Sequence, residues 1–172
     1  MRTALVLAAL LLPLTACSGG GADEPAEAAA LSPEEQLAAM RADIAELQAR
    51  PEIDAERVKV QHILISFKGA PRVPATRSKE EAEALAAKVY AQVKAGEDFT
   101  RLMSEYSDDD KVVGEYLMSA SEPTNAPTLW NRHGMVPAFG ETGWRLDVGE
   151  IGVSPHHESK SPFGWHIVKR LE

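Results

Sequence analysis

VQHILIS, residues 60–66, sets a histidine into a run otherwise suited to the middle of a sheet. Extended to RVKVQHILISF, residues 57–67, the stretch alternates. Val58, Val60, His62 and Leu64 fall on one face, and Ile63, Ile65 and Phe67 on the other, because successive side chains of a strand point to opposite sides. Both faces are apolar toward the end, which predicts a central strand rather than an edge. A similar run closes the chain: FGWHIVKRLE, residues 163–172, places His166, Val168 and Arg170 on one side and Trp165, Ile167 and Leu171 on the other. A single strand histidine is ordinarily a hydrogen-bonded core group. Two of them, on strands that can lie side by side, can meet on one face.

Helical text separates the two runs. KGAPRVPATR, residues 68–77, is a loop with two prolines and three basic residues, Lys68, Arg72 and Arg77. Ser78 then caps a helix with Glu81 at the capping-box position. Ala82, Leu85, Ala86, Val89 and Val93 share its buried face, and Gly96 ends it. Phe99, Leu102, Met103 and Tyr106 repeat the spacing in a shorter helix that stops at SDDD, residues 107–110. Residues 111–134 show little periodicity. MVPAFGETGWRL, from residue 135, fits a short helix, and DVGEIG, residues 147–152, fits a turn. Strand, helices, short strands and a final strand predict an α+β domain, with an antiparallel sheet whose first and last strands are neighbours.

Upstream, SPEEQLAAMRADIAELQAR, residues 32–50, has its own capping signals: Ser32, Pro33 at the first helical position, and Glu35. Leu37, Met40, Ile44 and Leu47 form a narrow apolar stripe, which predicts a helix that packs on the domain or on a partner. The chain begins MRTALVLAALLLPLTAC, with Arg2 ahead of an apolar run too short for a membrane span. That is the layout of a secretory signal. Its end, Leu14-Thr15-Ala16-Cys17, resembles the lipobox of bacterial lipoproteins, which implies cleavage after residue 16 and a lipid on Cys17. The expected organisation is a signal at 1–16, a flexible tether at 17–31 that includes SGGGADEPAEAAA, an amphipathic helix and linker at 32–56, and a domain at 57–172. Ser18 in place of Asp, by the same resemblance, implies the periplasmic face of the outer membrane. The surface of a Gram-positive cell is the alternative.

Cys17 is the only cysteine, so the rest of the chain has no disulfide and no thiol nucleophile. The net charge is −8, and loss of Arg2 with the signal leaves seventeen basic residues against twenty-six acidic ones. Phosphate backbones repel such a surface, which argues against nucleic acid as a partner. His133, His156 and His157 have no carboxylate or cysteine spacing to make a metal site, and are expected as exposed loop histidines. No cofactor is expected.

Five pieces in order carry a resemblance to the parvulin family of peptidyl-prolyl cis/trans isomerases, over about residues 57–172. They are VQHILI, SKEEAEALAAKVYAQVKAGEDFTRLMSEYSDD, GMVPAF, LDVGEIG and FGWHIVKRLE. The resemblance implies a four-stranded antiparallel sheet surrounded by helices, with paired histidines, here His62 and His166, beneath a proline pocket. It implies Asp109 as the polar residue near the substrate carbonyl, with Asp108 and Asp110 as alternatives. Met135 and Phe139 match the apolar pocket residues, and Ser161 falls where the family often has a hydroxyl. The family's glycine-rich turn is altered: Gly114 and Glu115 remain, the second glycine is missing, and a loop's worth of residues is added. Tyr116 matches the pocket leucine by order, with Leu117 and Met118 as rivals. The implied activity is isomerisation of X–Pro bonds in exported polypeptides, through non-covalent stabilisation of a twisted amide. A catalytically weak chaperone or assembly lipoprotein that binds unfolded clients is the alternative.

Overall fold

The computed structural model describes residues 31–109, 114–121 and 129–172. The expected signal, Cys17, the tether up to residue 30 and Asp110 lie outside the described residues. In chain order the elements are helix α1 (Pro33–Ala49), strand β1 (Arg57–Ile65), helices α2 (Lys79–Lys94) and α3 (Phe99–Tyr106), strands β2 (Tyr116–Ser119) and β3 (Leu129–Asn131), helix α4 (Pro137–Gly143), and strands β4 (Ile151–Ser154) and β5 (Trp165–Arg170).

The strands form one sheet in the order β3-β2-β1-β5-β4, with β1 at its centre. β1 pairs antiparallel with β2 and with β5, and β4 pairs antiparallel with β5. These four make the antiparallel sheet expected of the sequence. The fifth, β3, pairs parallel to the outer edge of β2, with Leu117 opposite Leu129 and Ser119 opposite Asn131. It comes from the stretch without readable period, where three residues are too few to show an alternation.

Alternation along β1 and β5 divides the core in two. Ile63, Ile65, Trp165 and Ile167 pack with Ala82, Ala86, Val89 and Leu102 of α2 and α3 on one face. Val58, Val60 and Val168 pack with Met118, Phe139, Trp144 and Leu146 on the other, beneath α4. The helices start where the sequence caps them. Ser32 and Ser78 each accept from the backbone N–H three residues on, while Glu35 and Glu81 accept from the cap N–H at 2.8 and 2.6 Å.

α1 docks on the domain. Met40 and Ile44 enter the α2-side core and Leu47 enters the α4-side core, so the helix straddles the β4 edge and covers it. Burial of three such side chains is worth roughly 1.5–3 kcal/mol each. The accompanying ion pairs, Arg41–Glu83 and Arg50–Glu150, are partly exposed and contribute roughly 0–1 kcal/mol apiece. The apolar stripe therefore dominates the docking. Among the described residues no helix is long and apolar enough to cross a membrane.

Candidate active site

β1 and β5 bring the two histidines onto the α4 face. Their register sets His62 opposite Val168 and Leu64 opposite His166, so the imidazoles are diagonal neighbours. Their Nδ1 atoms are 3.1 Å apart and their ring planes differ by 19°. Past Val60 the β2 ladder ends, and the segment after α3 takes its place beside β1. Asp108 N–H donates to the Leu64 carbonyl at 2.8 Å, and Leu64 N–H donates to Ser107 Oγ at 3.1 Å. This anchorage places Asp109 Oδ2 2.9 Å from His62 Nε2. The Tyr116 hydroxyl donates to the same oxygen at 3.1 Å. Of the neighbouring aspartates, Asp108 is occupied otherwise: its carboxylate accepts from Ser66 N–H and pairs with Arg77.

The pair is nearly closed off from solvent, with His62 8% and His166 4% exposed. Burial first, and then the repulsion that a second proton on the pair would meet from His62, pushes the His166 imidazole well below its ordinary value and keeps it neutral. Burial first, and then the charge of Asp109, pushes the Tyr116 phenol up to about 12, so it remains a donor. Phe139 lies over both imidazoles, its centroid 5.1 Å from His62 and 5.4 Å from His166. Tyr116 meets His62 edge-on at 5.2 Å. Above them opens a cavity of about 410 Å³ walled by Tyr116, Met135, Val136 and Phe139, with His62, His166 and Asp109 on its polar side.

Three residues that the sequence offered for the site are elsewhere. Leu117 follows Tyr116 in β2 and so points to the opposite face, which leaves it outside the cavity lining. Met118 faces the same way as Tyr116 but is sealed in the core beneath α4. Ser161 is fully buried and its hydroxyl donates to the Gly164 carbonyl at 3.0 Å, so it stabilises the turn into β5 rather than facing the cavity. His156 also departs from expectation. It is half-buried, 4.8 Å from the Phe67 ring and 5.4 Å from that of Trp165, while His157 is exposed.

Sequence reasoning missed Trp130, Phe163, Val73 and Pro74, which also line the cavity, as do Leu64, Arg72 and Asp108. Phe163 stood in a quoted motif without an assigned role. Trp130 stood in the stretch with no readable period, and only its size and aromaticity marked it. Among the described residues no group of three or more His, Cys, Asp or Glu is placed to hold a metal ion.

The arrangement offers a dry apolar recess beside a short chain of polar groups, suited to gripping a ring while hydrogen-bonding an adjacent amide. Comparison with known proteins finds relatives in sequence and in fold. The chain is 35% identical over 112 residues to the Chaperone SurA of Chromohalobacter salexigens, a match covering 64% of this chain and 21% of that protein. It is 31% identical over 100 residues to the Foldase protein PrsA of Geobacillus kaustophilus, covering 58% of this chain and 31% of that one. It thus matches about a fifth to a third of the length of these relatives. Among solved structures, the peptidyl-prolyl isomerase ESS1 from Candida albicans shares the fold with a TM-score of 0.52 at 20% identity, covering 78% of this chain and 74% of its own. The model of the PPIC-type PPIASE domain matches residues 44–172, from within α1 through β5. The chain belongs to the PPIC-type PPIASE domain family.

Proposed function

We propose that this protein is a peptidyl-prolyl cis/trans isomerase acting on proline-containing exported polypeptides. The observation that carries the reading is the chain Asp109–His62–His166 running beneath an apolar cavity walled by Phe139 and Met135. Rotation about an amide faces a barrier of roughly 18–20 kcal/mol, because resonance stiffens the C–N bond. Exchange of X–Pro bonds therefore takes tens to hundreds of seconds unaided. No bond is broken, so the enzyme need only hold the twisted amide better than either planar form. Phe139 and Met135 grip the pyrrolidine ring and fix one side of the bond. The imidazole pair forms the pocket floor, and its fixed tautomers keep the hydrogen-bonding groups in place. Asp109 sets the local field near the substrate carbonyl. Each tenfold acceleration takes about 1.4 kcal/mol, within reach of a few such contacts.

The N-terminal sequence supports an envelope protein lipidated at Cys17 and held at the periplasmic face of the outer membrane. A second reading, a client-binding chaperone with little turnover, is favoured by Trp130. This residue is 43% exposed, lines the cavity and meets Tyr116 at 5.8 Å between centroids, which widens the apolar surface. A protease-free exchange assay on a proline tetrapeptide separates the two. Acceleration by the wild type, lost on removal of the Phe139 ring, supports the isomerase. Suppression of client aggregation with no acceleration establishes the chaperone instead.

A further inference from the structure

Two buried polar atoms without a hydrogen-bond partner among the described residues lie on one rung of the sheet. They are Ser154 Oγ on β4 and His166 Nε2 on β5. Ser154 stands directly opposite His166 in the register, so their side chains share a face with Cβ atoms about 4.5–5.5 Å apart. The adjacent rung, Val153 and Ile167, belongs to the core beneath α2. Ser154 and His166 therefore point the other way, toward the site.

The orientation of the ring makes the pairing specific. β5 lies between β1 and β4, and His166 turns Nδ1 toward His62 on β1. The Cδ2–Nε2 edge of the imidazole then lies on the β4 side, where Ser154 stands. Ser161, which falls where the resemblance places a hydroxyl, donates to Gly164 and not to this histidine.

Proton assignment gives the direction of the bond. A neutral imidazole has one N–H. When His62 Nε2–H donates to Asp109, His62 Nδ1 is left to accept, and His166 Nδ1–H donates to it. His166 Nε2 then bears a buried lone pair, and a hydroxyl is a donor whose hydrogen rotates to suit. Ser154 Oγ and His166 Nε2 are not bonded to each other in this structure. A serine hydroxyl can take any of three staggered positions about χ1, and leaving each of these atoms buried and unpaired is unfavourable.

We propose that Ser154 is a positioning residue, whose O–H donates to His166 Nε2 and extends the chain to Ser154–His166–His62–Asp109, fixing both imidazoles in one tautomer beneath the pocket. Its catalytic consequence rests on the isomerase reading above; the hydrogen bond itself does not.

The test is nitrogen-15 NMR of the histidine side chains in the full chain held in detergent micelles, for wild type, Ser154→Ala and Ser154→Thr. In wild type, His166 is expected with its proton on Nδ1 and a hydrogen-bonded Nε2. Ser154→Ala should move the Nε2 resonance toward that of a free lone pair, and Ser154→Thr should keep it in place. Tetrapeptide isomerisation should fall about three- to tenfold in Ser154→Ala, the effect of one neutral hydrogen bond, and return with Thr. An Nε2 resonance indifferent to Ser154→Ala overturns the proposal, as does a wild-type ring with its proton on Nε2. Should Ser154→Ala fail to fold, the wild-type tautomer decides alone. A resonance that responds as expected in a protein without isomerase activity upholds the hydrogen bond and removes the isomerase reading.

Discussion

At the scale of single residues, His166 makes a prediction that needs no substrate. Its folded-state imidazole titrates well below the ordinary value because it is buried beside His62, whereas in the unfolded chain it titrates near 6.5. Between those two values the unfolded chain takes up a proton that the folded protein refuses. The His166 contribution to stability is therefore fully present above about pH 6.5 and is lost progressively as pH falls toward the folded value. Urea midpoints measured between pH 8 and pH 5 should decline, and His166→Asn should flatten part of that decline; equal slopes for the two proteins would refute it. Phe139→Ala should lower peptide isomerisation at least tenfold per folded molecule. It should also cost about 3–5 kcal/mol of stability as a buried aromatic truncation, so Phe139→Leu, which keeps most of the bulk, is the gentler control. His62→Ala removes a partner of both Asp109 and His166 and should lower activity and thermal stability together. Retention of both would reject any role for the pair. At this scale the sequence was legible where an unusual residue type stood in a strong pattern. His62 and His166 were histidines in strands, and Met135 and Phe139 belonged to a spaced motif. Ser161 and Leu117 were misassigned because a serine does not disclose its acceptor, and a position in β2 cannot be assigned to a face until the strand register is known.

Among the elements, β5 depends on the residue just before it. Gly164 has φ +139°, and a Cβ there would lie 2.2 Å from the Ile65 carbonyl oxygen of β1. That oxygen belongs to backbone and cannot swing aside. Gly164→Ala should cost about 3 kcal/mol or more and shift β5, detectable as a lower melting temperature together with loss of the His62–His166 contact in NMR. A variant that melts with wild type would contradict the close approach. α1 makes a different demand. Deleting residues 32–50 uncovers the β4 edge and removes Met40, Ile44 and Leu47 from both cores. The truncated protein should melt markedly lower and associate at the exposed edge, as light scattering would show. The helices were legible because their caps are written locally, in Ser32–Glu35 and Ser78–Glu81. β2 and β3 were not, since four residues and three residues give no period to read and their pairing partners are distant in sequence.

For the whole molecule, the α+β order was readable because two strands of matching character bracket a helical segment, and the sheet that results is closed by β1 pairing with β5. The site's general position followed from that pairing. The widening of the cavity by Trp130 did not, because it depends on a strand that local sequence does not announce. The proposed lipid anchor belongs to this scale too. Cys17→Ser should shift the protein from the membrane fraction to the soluble fraction and abolish incorporation of labelled fatty acid. Unchanged fractionation would remove the anchor from the account. The β1–β5 pairing has a temporal side as well. His62 and His166 are 104 residues apart in the chain, and everything between them leaves the ribosome before the second one does. A nascent chain that has not yet yielded residues 165–170 has no floor to its pocket and an open seam down the middle of its sheet. On the isomerase reading proposed above, it cannot hold a proline ring until synthesis passes that point. The floor of the cavity is then completed in one step, as the last strand seats itself against a neighbour that was made long before.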